Sequence, residues 1–169
     1  MIRKYLTPMA LKILVHASVI SRIDYANALV YGIAETQLNR LQRLQTCAAR
    51  LVTFDIESTE VLKKLHWIPI RARIKYKILL LTFKALNSLA PQYIKDMLTV
   101  QAHVRNTRSS KGGPRLIEPK TNLRFGGDRA FGACAPRLWN NLPDSLRTCS
   151  CIDQFKRQLK THLFKHYLL

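Results

Sequence analysis

The chain has 169 residues, enough for one domain or one domain with a small appendage. Hydrophobic residues make up 47% of it, which supplies a core and argues against wholesale disorder. Lys and Arg number 28 against 10 Asp and Glu, a net charge of +18 that repels itself in a compact state and that a polyanion would relieve.

The excess is even along the chain: 15 basic and 6 acidic residues before position 101 give +9, and 13 and 4 after it give +9 again. A partner that spans the whole surface, such as RNA or DNA, fits this better than a localisation signal. The bland alternative is a soluble basic protein with no such partner. Four cysteines (Cys47, Cys134, Cys149 and Cys151) with no secretory leader lead to the expectation of free thiols inside the cell, nuclear or cytoplasmic. No apolar run approaches the roughly 20 residues that span a bilayer, so no membrane partner is expected. Met1 to Ile23 has basic residues and no acid, as a mitochondrial presequence does; an ordinary amphipathic helix is the reading preferred here.

In chain order, Thr7-Pro8 opens a helix, with Met9, Ile13 and His16/Ala17 at helical spacing. A second helix is expected from Arg22 to Tyr31, stopped by Gly32. The third, about Glu35 to Val52, has the clearest pattern. Leu41, Leu44, Ala48 and Leu51 share one side, and Arg40, Arg43 and Arg50 share the other. A guanidinium can donate two hydrogen bonds at once to a phosphate, so such a row suits a nucleic-acid backbone. Asp55, Glu57 and Glu60 around Ser58-Thr59 read as the acidic start of a helix rather than a metal site.

His66-Trp67-Ile68-Pro69 breaks the chain before the longest helix, about Ile70 to Leu89. That helix is apolar on nearly every side in its second half, with a narrow basic stripe of Arg73, Lys77 and Lys84. Pro91 starts a short helix through Leu98. Residues 99–127 lose periodicity. Arg105, Arg108 and Lys111 lie in this basic loop, which either clamps a nucleic-acid backbone or is simply mobile. Leu116–Pro119 and Asn122–Phe125 suggest one short β-hairpin, weakened by Pro119. Asp128 is placed as the cap of a helix through Leu138, and Pro143 opens a further turn or two. Ser150 with Asp153 approximates a capping box for the last helix, whose buried stripe is Ile152, Phe155, Leu159 and Leu163. Lys156, Arg157, Lys160 and Lys165 are left for solvent or a partner.

The fold class expected is therefore mainly α: a helical bundle with an irregular basic loop region and room for one short β-hairpin. Its parts are a bundle over 1–98, a basic linker over 99–127, and a helical segment over 128–169 that packs on the bundle.

Residue spacing argues against catalytic chemistry. Cys149, Cys151, His162 and His166 imitate a zinc finger, but one residue separates the cysteines where fingers place two or more. A continuous helix would also hold Cys151 and His162 about 16 Å apart. There is no Asp-Asp or Asp-x-Asp pair for two-metal phosphoryl transfer, and Gly112-Gly113 and Gly126-Gly127 belong to no phosphate-binding loop. No catalytic residue, metal, cofactor or small-molecule substrate is expected. Trp67, Tyr76, Phe125 and Trp139 offer faces for base stacking, yet both tryptophans read better as core.

Several stretches then carry a resemblance. SRIDYANAL (Ser21–Leu29), LQRLQTCAARL (Leu41–Leu51), HWIPIRARIKYKILLLTFKALNSLAP (His66–Pro91), TRSS (Thr107–Ser110), GDRAFGACAPRLWNNLP (Gly127–Pro143) and FKRQLKTHLF (Phe155–Phe164) follow one another in a family's order. The chain resembles the region downstream of the polymerase core in LINE-type (non-LTR, jockey-like) retrotransposon polyproteins. The resemblance implies a parent RNA-directed DNA polymerase, a reverse transcriptase whose Tyr-x-Asp-Asp type motif is absent here. It implies a non-catalytic segment from a truncated copy of the transposable element. RNA or an RNA/DNA duplex, and the upstream polymerase domain, are the partners it implies. The alternative is a structural scaffold or protein-interaction module with no direct nucleic-acid contact.

Overall fold

A computed structural model describes residues 5–53, 58–101, 113–121 and 127–168, and these are mainly α-helical. The chain divides into two compact units, Met1–Ile74 with Phe164–Leu169, and Lys75–Leu163. Both divisions fall inside helices, whereas the sequence reading draws its boundaries at 98 and 127.

The first unit opens as expected. Thr7 Oγ1 accepts from Ala10 N at 3.2 Å, and Pro8 takes the first position of α1 (Pro8–Val15). The chain continues through a π-helical turn (His16–Ile20) into α2 (Ser21–Asp24). Met9 and Ile13, which recur at helical spacing, are 68% and 59% exposed, and the buried face is made of Leu11, Val15 and Ile20. The wide turn is the reason. It adds a residue between Val15 and Ile20 and so keeps both on one face. The expected helix from Arg22 to Tyr31 is also split. Ala26 takes a left-handed φ of 51°, a short 3-10 turn (Asn27–Val30) follows, and Gly32 stops it at φ 72°.

Helix α3 (Glu35–Thr53) has the expected length but a rotated face. Leu44 and Leu51 are 56% and 45% exposed, Leu41 is half-buried, and of the expected quartet only Ala48 is inside. Leu38, Gln45, Ala49 and Val52 complete the buried side. Gln45, fully buried, lies near the middle of that side, which hydrophobicity alone does not find. Its Nε2 donates to the Ile68 carbonyl at 2.9 Å, and its Oε1 accepts from Gln42 Nε2 at 3.0 Å. Gln42 Oε1 in turn accepts from Ile70 N at 2.9 Å, one of the unsatisfied donors at the start of α5 (Ile70–Leu86). This glutamine relay ties α3 to the opening of α5.

Between them lies α4 (Ser58–Lys64), in a position that agrees with a Ser58 start. Asp55 and Glu57 lie outside the described residues, and Glu60 pairs with Lys63 at 3.0 Å. The helix ends without glycine. His66 takes φ 53°, its N–H donates to the Lys63 carbonyl at 3.0 Å, and Trp67 N donates to the Leu62 carbonyl at 2.9 Å. These are the two bonds of a Schellman cap, and Leu62 and Trp67 supply the apolar contact that accompanies it. Leu11, Val15, Ile20, Ala48, Ala49, Val52, Val61 and Leu168 join them in this unit's core.

In the second unit the remainder of α5 buries Ile78, Leu79, Thr82, Phe83 and Ala85. Phe155 stacks on Phe83 at 4.3 Å between ring centroids, and Trp139 lies 5.9 Å from Phe155. Both tryptophans are core residues, as read from sequence. Helix α5 ends at Leu86, three residues before the expected Leu89, in a second Schellman cap. Ser88 has φ 56°, Ser88 N donates to the Ala85 carbonyl at 3.3 Å, and Leu89 N donates to the Lys84 carbonyl at 2.7 Å. Helix α6 (Gln92–Lys95) is shorter than expected, because after Asp96 N bonds the Gln92 carbonyl, the bond from Leu98 N to the Lys95 carbonyl spans three residues rather than four.

Leu116 forms an antiparallel bridge with Val100, and Asn122–Phe125, the other half of the expected hairpin, lies outside the described residues. The other edge of Leu116 is held by the Asn140 amide, which accepts from Leu116 N at 3.0 Å and donates to its carbonyl at 2.8 Å. A side chain thus stands where a neighbouring strand would. Asn140 ends α7 (Phe131–Asn140), whose N-cap is Ala130 rather than the expected Asp128. Asp128 is instead used by Thr121 Oγ1 and by Arg137 Nη2, the latter at 3.3 Å. Helix α8 (Asp144–Arg147) follows Pro143. Helix α9 (Ile152–Leu168) buries Phe155, Leu159 and Leu163 as expected, with Ile152 half-buried. Its first carbonyl is that of Cys151, so the cap is one residue later than the Ser150 expected, and Asp153 pairs with Lys156 at 3.1 Å.

Candidate nucleic-acid interface

Arg40, Arg43 and Arg50 are all exposed on α3. The rotation of the buried face improves their placement. On a wheel of about 100° per residue they span roughly 80° and lie opposite the side centred on Gln45 and Val52. Arg40 to Arg50 covers ten residues, or about 15 Å along the axis. Arg43 and Arg50 also line a shallow depression of about 340 Å³ with Asn39, Gln42, Thr46 and Cys47. The amide, hydroxyl and guanidinium donors on its walls are groups that pair with phosphate oxygens. Lys63, Arg71, Arg73, Arg137, Arg147 and Lys156 stand in ion pairs, and among the described residues neither Arg40 nor Arg43 does. Leu44 and Leu51 flank the row, so the outer face of α3 is mixed, basic and apolar.

Arg73 is placed differently. Its Nη1 donates to Asp24 Oδ2 at 2.6 Å and its Nε to the Ile68 carbonyl at 3.1 Å, and its side chain is only 14% exposed. The guanidinium is spent on joining the end of α2 to the start of α5. A distant acid supplied its partner, which a single-helix pattern cannot reveal. Lys77 is exposed and Lys84 half-buried on the part of α5 within the second unit, seven residues or about 10 Å apart. Arg105, Arg108 and Lys111 lie outside the described residues.

Other exposed basic side chains were not singled out as site residues from sequence. Arg115 and Lys120 flank the Leu116 bridge, and Arg157 and Lys160 stand on the outer side of α9. The periodic gap between Phe155, Leu159 and Leu163 was a signal for the α9 pair. Arg115 and Lys120 have no periodic signal, because their segment is placed by the Asn140 amide. Tyr76, a stacking candidate, is half-buried, and burial pushes its hydroxyl above the ordinary tyrosine range despite nearby Lys156. Trp67 and Trp139 present no open ring face, and Trp139 Nε1 donates to the Pro114 carbonyl at 2.8 Å.

Among the described residues no group of three His, Cys, Asp or Glu converges in a way that could hold a metal ion. His162 and His166 lie on one unbroken helix that starts just after Cys151. No described helix is long and apolar enough to cross a membrane. No family model, no curated protein and no solved structure matches the chain.

Proposed function

We propose that the chain is a non-catalytic, RNA-gripping support segment of a non-LTR retrotransposon reverse transcriptase. The observation that carries this is the exposed row of Arg40, Arg43 and Arg50 on α3 in a chain of net charge +18. Its opposite side is packed into a core, so the row is held rigidly and needs little ordering on binding. The contacts grip phosphates and position RNA or an RNA/DNA duplex without reading base sequence. Lys77 and Lys84 are secondary candidates on α5. Arg73 is not among them, since its charge is already matched by Asp24. The residue order that resembles the post-polymerase region of LINE-type elements supplies the parent enzyme in this reading.

Titration of the full chain with structured RNA by fluorescence anisotropy, at several salt concentrations, tests it. Each phosphate contact contributes roughly 0.7–0.9 to the slope of log affinity against log salt. Converting Arg40, Arg43 and Arg50 to Glu lowers that slope by about 2 or more and weakens binding at least about tenfold. Salt-independent binding, or an unchanged affinity in the triple variant, overturns the reading.

A second reading has its own observation. Met9, Ile13 and Leu14 of α1 are large, apolar and exposed on adjacent turns. Such a patch suits a protein partner, here the upstream polymerase domain. In that reading the segment is a scaffold and its arginines solvate the surface. The same triple variant separates the two, because a scaffold keeps its RNA affinity unchanged.

A further inference from the structure

Cys149 and Cys151 flank Ser150 in the link between α8 and α9. The Cys151 carbonyl accepts from Phe155 N at 3.0 Å, so Cys151 occupies the N-cap of a 17-residue helix. The backbone N–H groups of Gln154 and Asp153 at the start of this helix, with Arg157 farther along it, hold the thiol below the ordinary cysteine range. The side chain is exposed. Cys149 is held beside the same helix: its Sγ lies 3.1 Å from Gln158 Oε1 and 3.3 Å from the Ser145 carbonyl, either of which can accept its one proton. Partial burial and the neighbouring Cys151 push its thiol above the ordinary range.

The pair therefore has unlike members, one open and anion-stabilised, the other tucked and proton-bearing. Two peptide steps span at most about 7 Å, and disulfides join Cα atoms about 4.4–6.8 Å apart, so the one-residue spacing keeps the two Cα atoms near the range a link needs. The remaining cysteines lack this arrangement. Cys134 is buried in α7 with its thiol pushed up to about 11 by that burial, and Cys47 sits in the middle of α3, away from any helix N-terminus.

We propose that Cys149 and Cys151 form a dithiol redox site that exchanges with small disulfides of the glutathione class. This does not depend on the nucleic-acid reading. The Cys151 thiolate attacks one sulfur of glutathione disulfide; the new bond joins Cys151 to glutathione and one glutathione thiolate leaves. Cys149 gives its proton to solvent, and its thiolate attacks the Cys151 sulfur. That step forms the Cys149–Cys151 disulfide and releases the second glutathione thiolate. In total two protein thiols are oxidised and one glutathione disulfide is reduced to two glutathione molecules. An exposed disulfide of this kind is readily reversed by reduced glutathione.

The test treats the reduced full chain with glutathione disulfide near neutral pH and maps thiols by peptide mass spectrometry over time. The wild type is expected to yield the Cys149–Cys151 disulfide with little glutathione adduct. Cys149→Ser, which keeps a donor for Gln158 or Ser145, is expected to trap glutathione on Cys151. Cys151→Ser is expected to slow glutathione capture in this region about tenfold or more. The proposal is overturned if Cys47 is modified as fast as Cys151, if Cys149→Ser carries no adduct, or if the wild type accumulates the adduct as that variant does.

Discussion

The outer face of α3 and the junction where α2 meets the start of α5 use the same side chain for opposite ends. On α3, Arg43 has a buried helix side behind it and no acid against it among the described residues. At the junction, Arg73 donates to an aspartate 49 positions earlier and to a backbone carbonyl five positions earlier. In a sequence pattern the two look equivalent, as basic residues on one stripe of a helix. The difference is where the surrounding chain leaves an acceptor. A guanidinium with internal acceptors is a clasp, and one without them is free to meet a phosphate.

The sharpest way to break this contrast is to remove the clasp. Arg73→Ala leaves Asp24 without its cation and the Ile68 carbonyl with one donor fewer. Because Asp24 is about one-third exposed, the loss is screened below that of a fully buried pair, and about 2 kcal/mol of unfolding free energy is expected. Urea denaturation measures it. RNA affinity under folding conditions should be unchanged. A stable Arg73→Ala protein with weakened RNA binding would place Arg73 with the outer row after all.

Next in size is Gln45→Leu. It keeps volume at a fully buried position but removes the middle of the glutamine relay. Gln42 Nε2 then loses its acceptor, while Gln42 Oε1 keeps Ile70 N and the Ile68 carbonyl retains Arg73 Nε. About 1–2 kcal/mol is expected, since only part of the relay is left unsatisfied. The double variant with Arg73→Ala should cost more than the sum of the two, because both donors to one carbonyl then vanish. Simple additivity would show that the two devices are independent.

On the other side of the comparison, Arg40→Glu, Arg43→Glu and Arg50→Glu together should shift stability little, within about 0.5 kcal/mol per site, as surface changes do. Their effect belongs to RNA affinity, where at least about tenfold is expected under the proposed function. The two sets of variants thus form a double dissociation. One lowers the urea midpoint and spares binding; the other spares the midpoint and lowers binding.

Much of the fold was legible because its signals are local. Thr7-Pro8, the length of α3, Pro69 before α5, the stripe of α9 and the two core tryptophans each rest on residues within a few turns. What was not legible depends on residues far apart. The rotated face of α3 turns on a buried glutamine whose acceptor lies 23 positions away. The Leu116 segment is paired by an asparagine 24 positions later. The face of α1 turns on a π-helical turn that no hydrophobic period announces. Among the candidate site residues, position on a helix surface was readable for Arg40, Arg43 and Arg50, while the engagement of Arg73 was not.

The smallest expected effect concerns the two glycine-free caps, one in each unit. Sequence reasoning looks for Gly where a helix ends in the left-handed region, and here His66 and Ser88 stand there instead. A side chain at positive φ strains the backbone by about 1 kcal/mol, which Gly relieves, against a larger entropy loss on folding. For Ser88→Gly nothing buried is given up, because the residue is exposed and its hydroxyl meets only Lys95 Nζ at 3.3 Å. The Schellman bonds are backbone bonds and survive the change. A gain of about 0.5–1 kcal/mol is expected, read as a higher urea midpoint. For His66→Gly the same relief is offset by loss of the imidazole ring 5.9 Å from that of Phe164, so its gain should be smaller or absent. Equal gains at both positions would mean that the His66–Phe164 contact contributes nothing to the first unit, and a loss at Ser88 would mean that its cap is not strained.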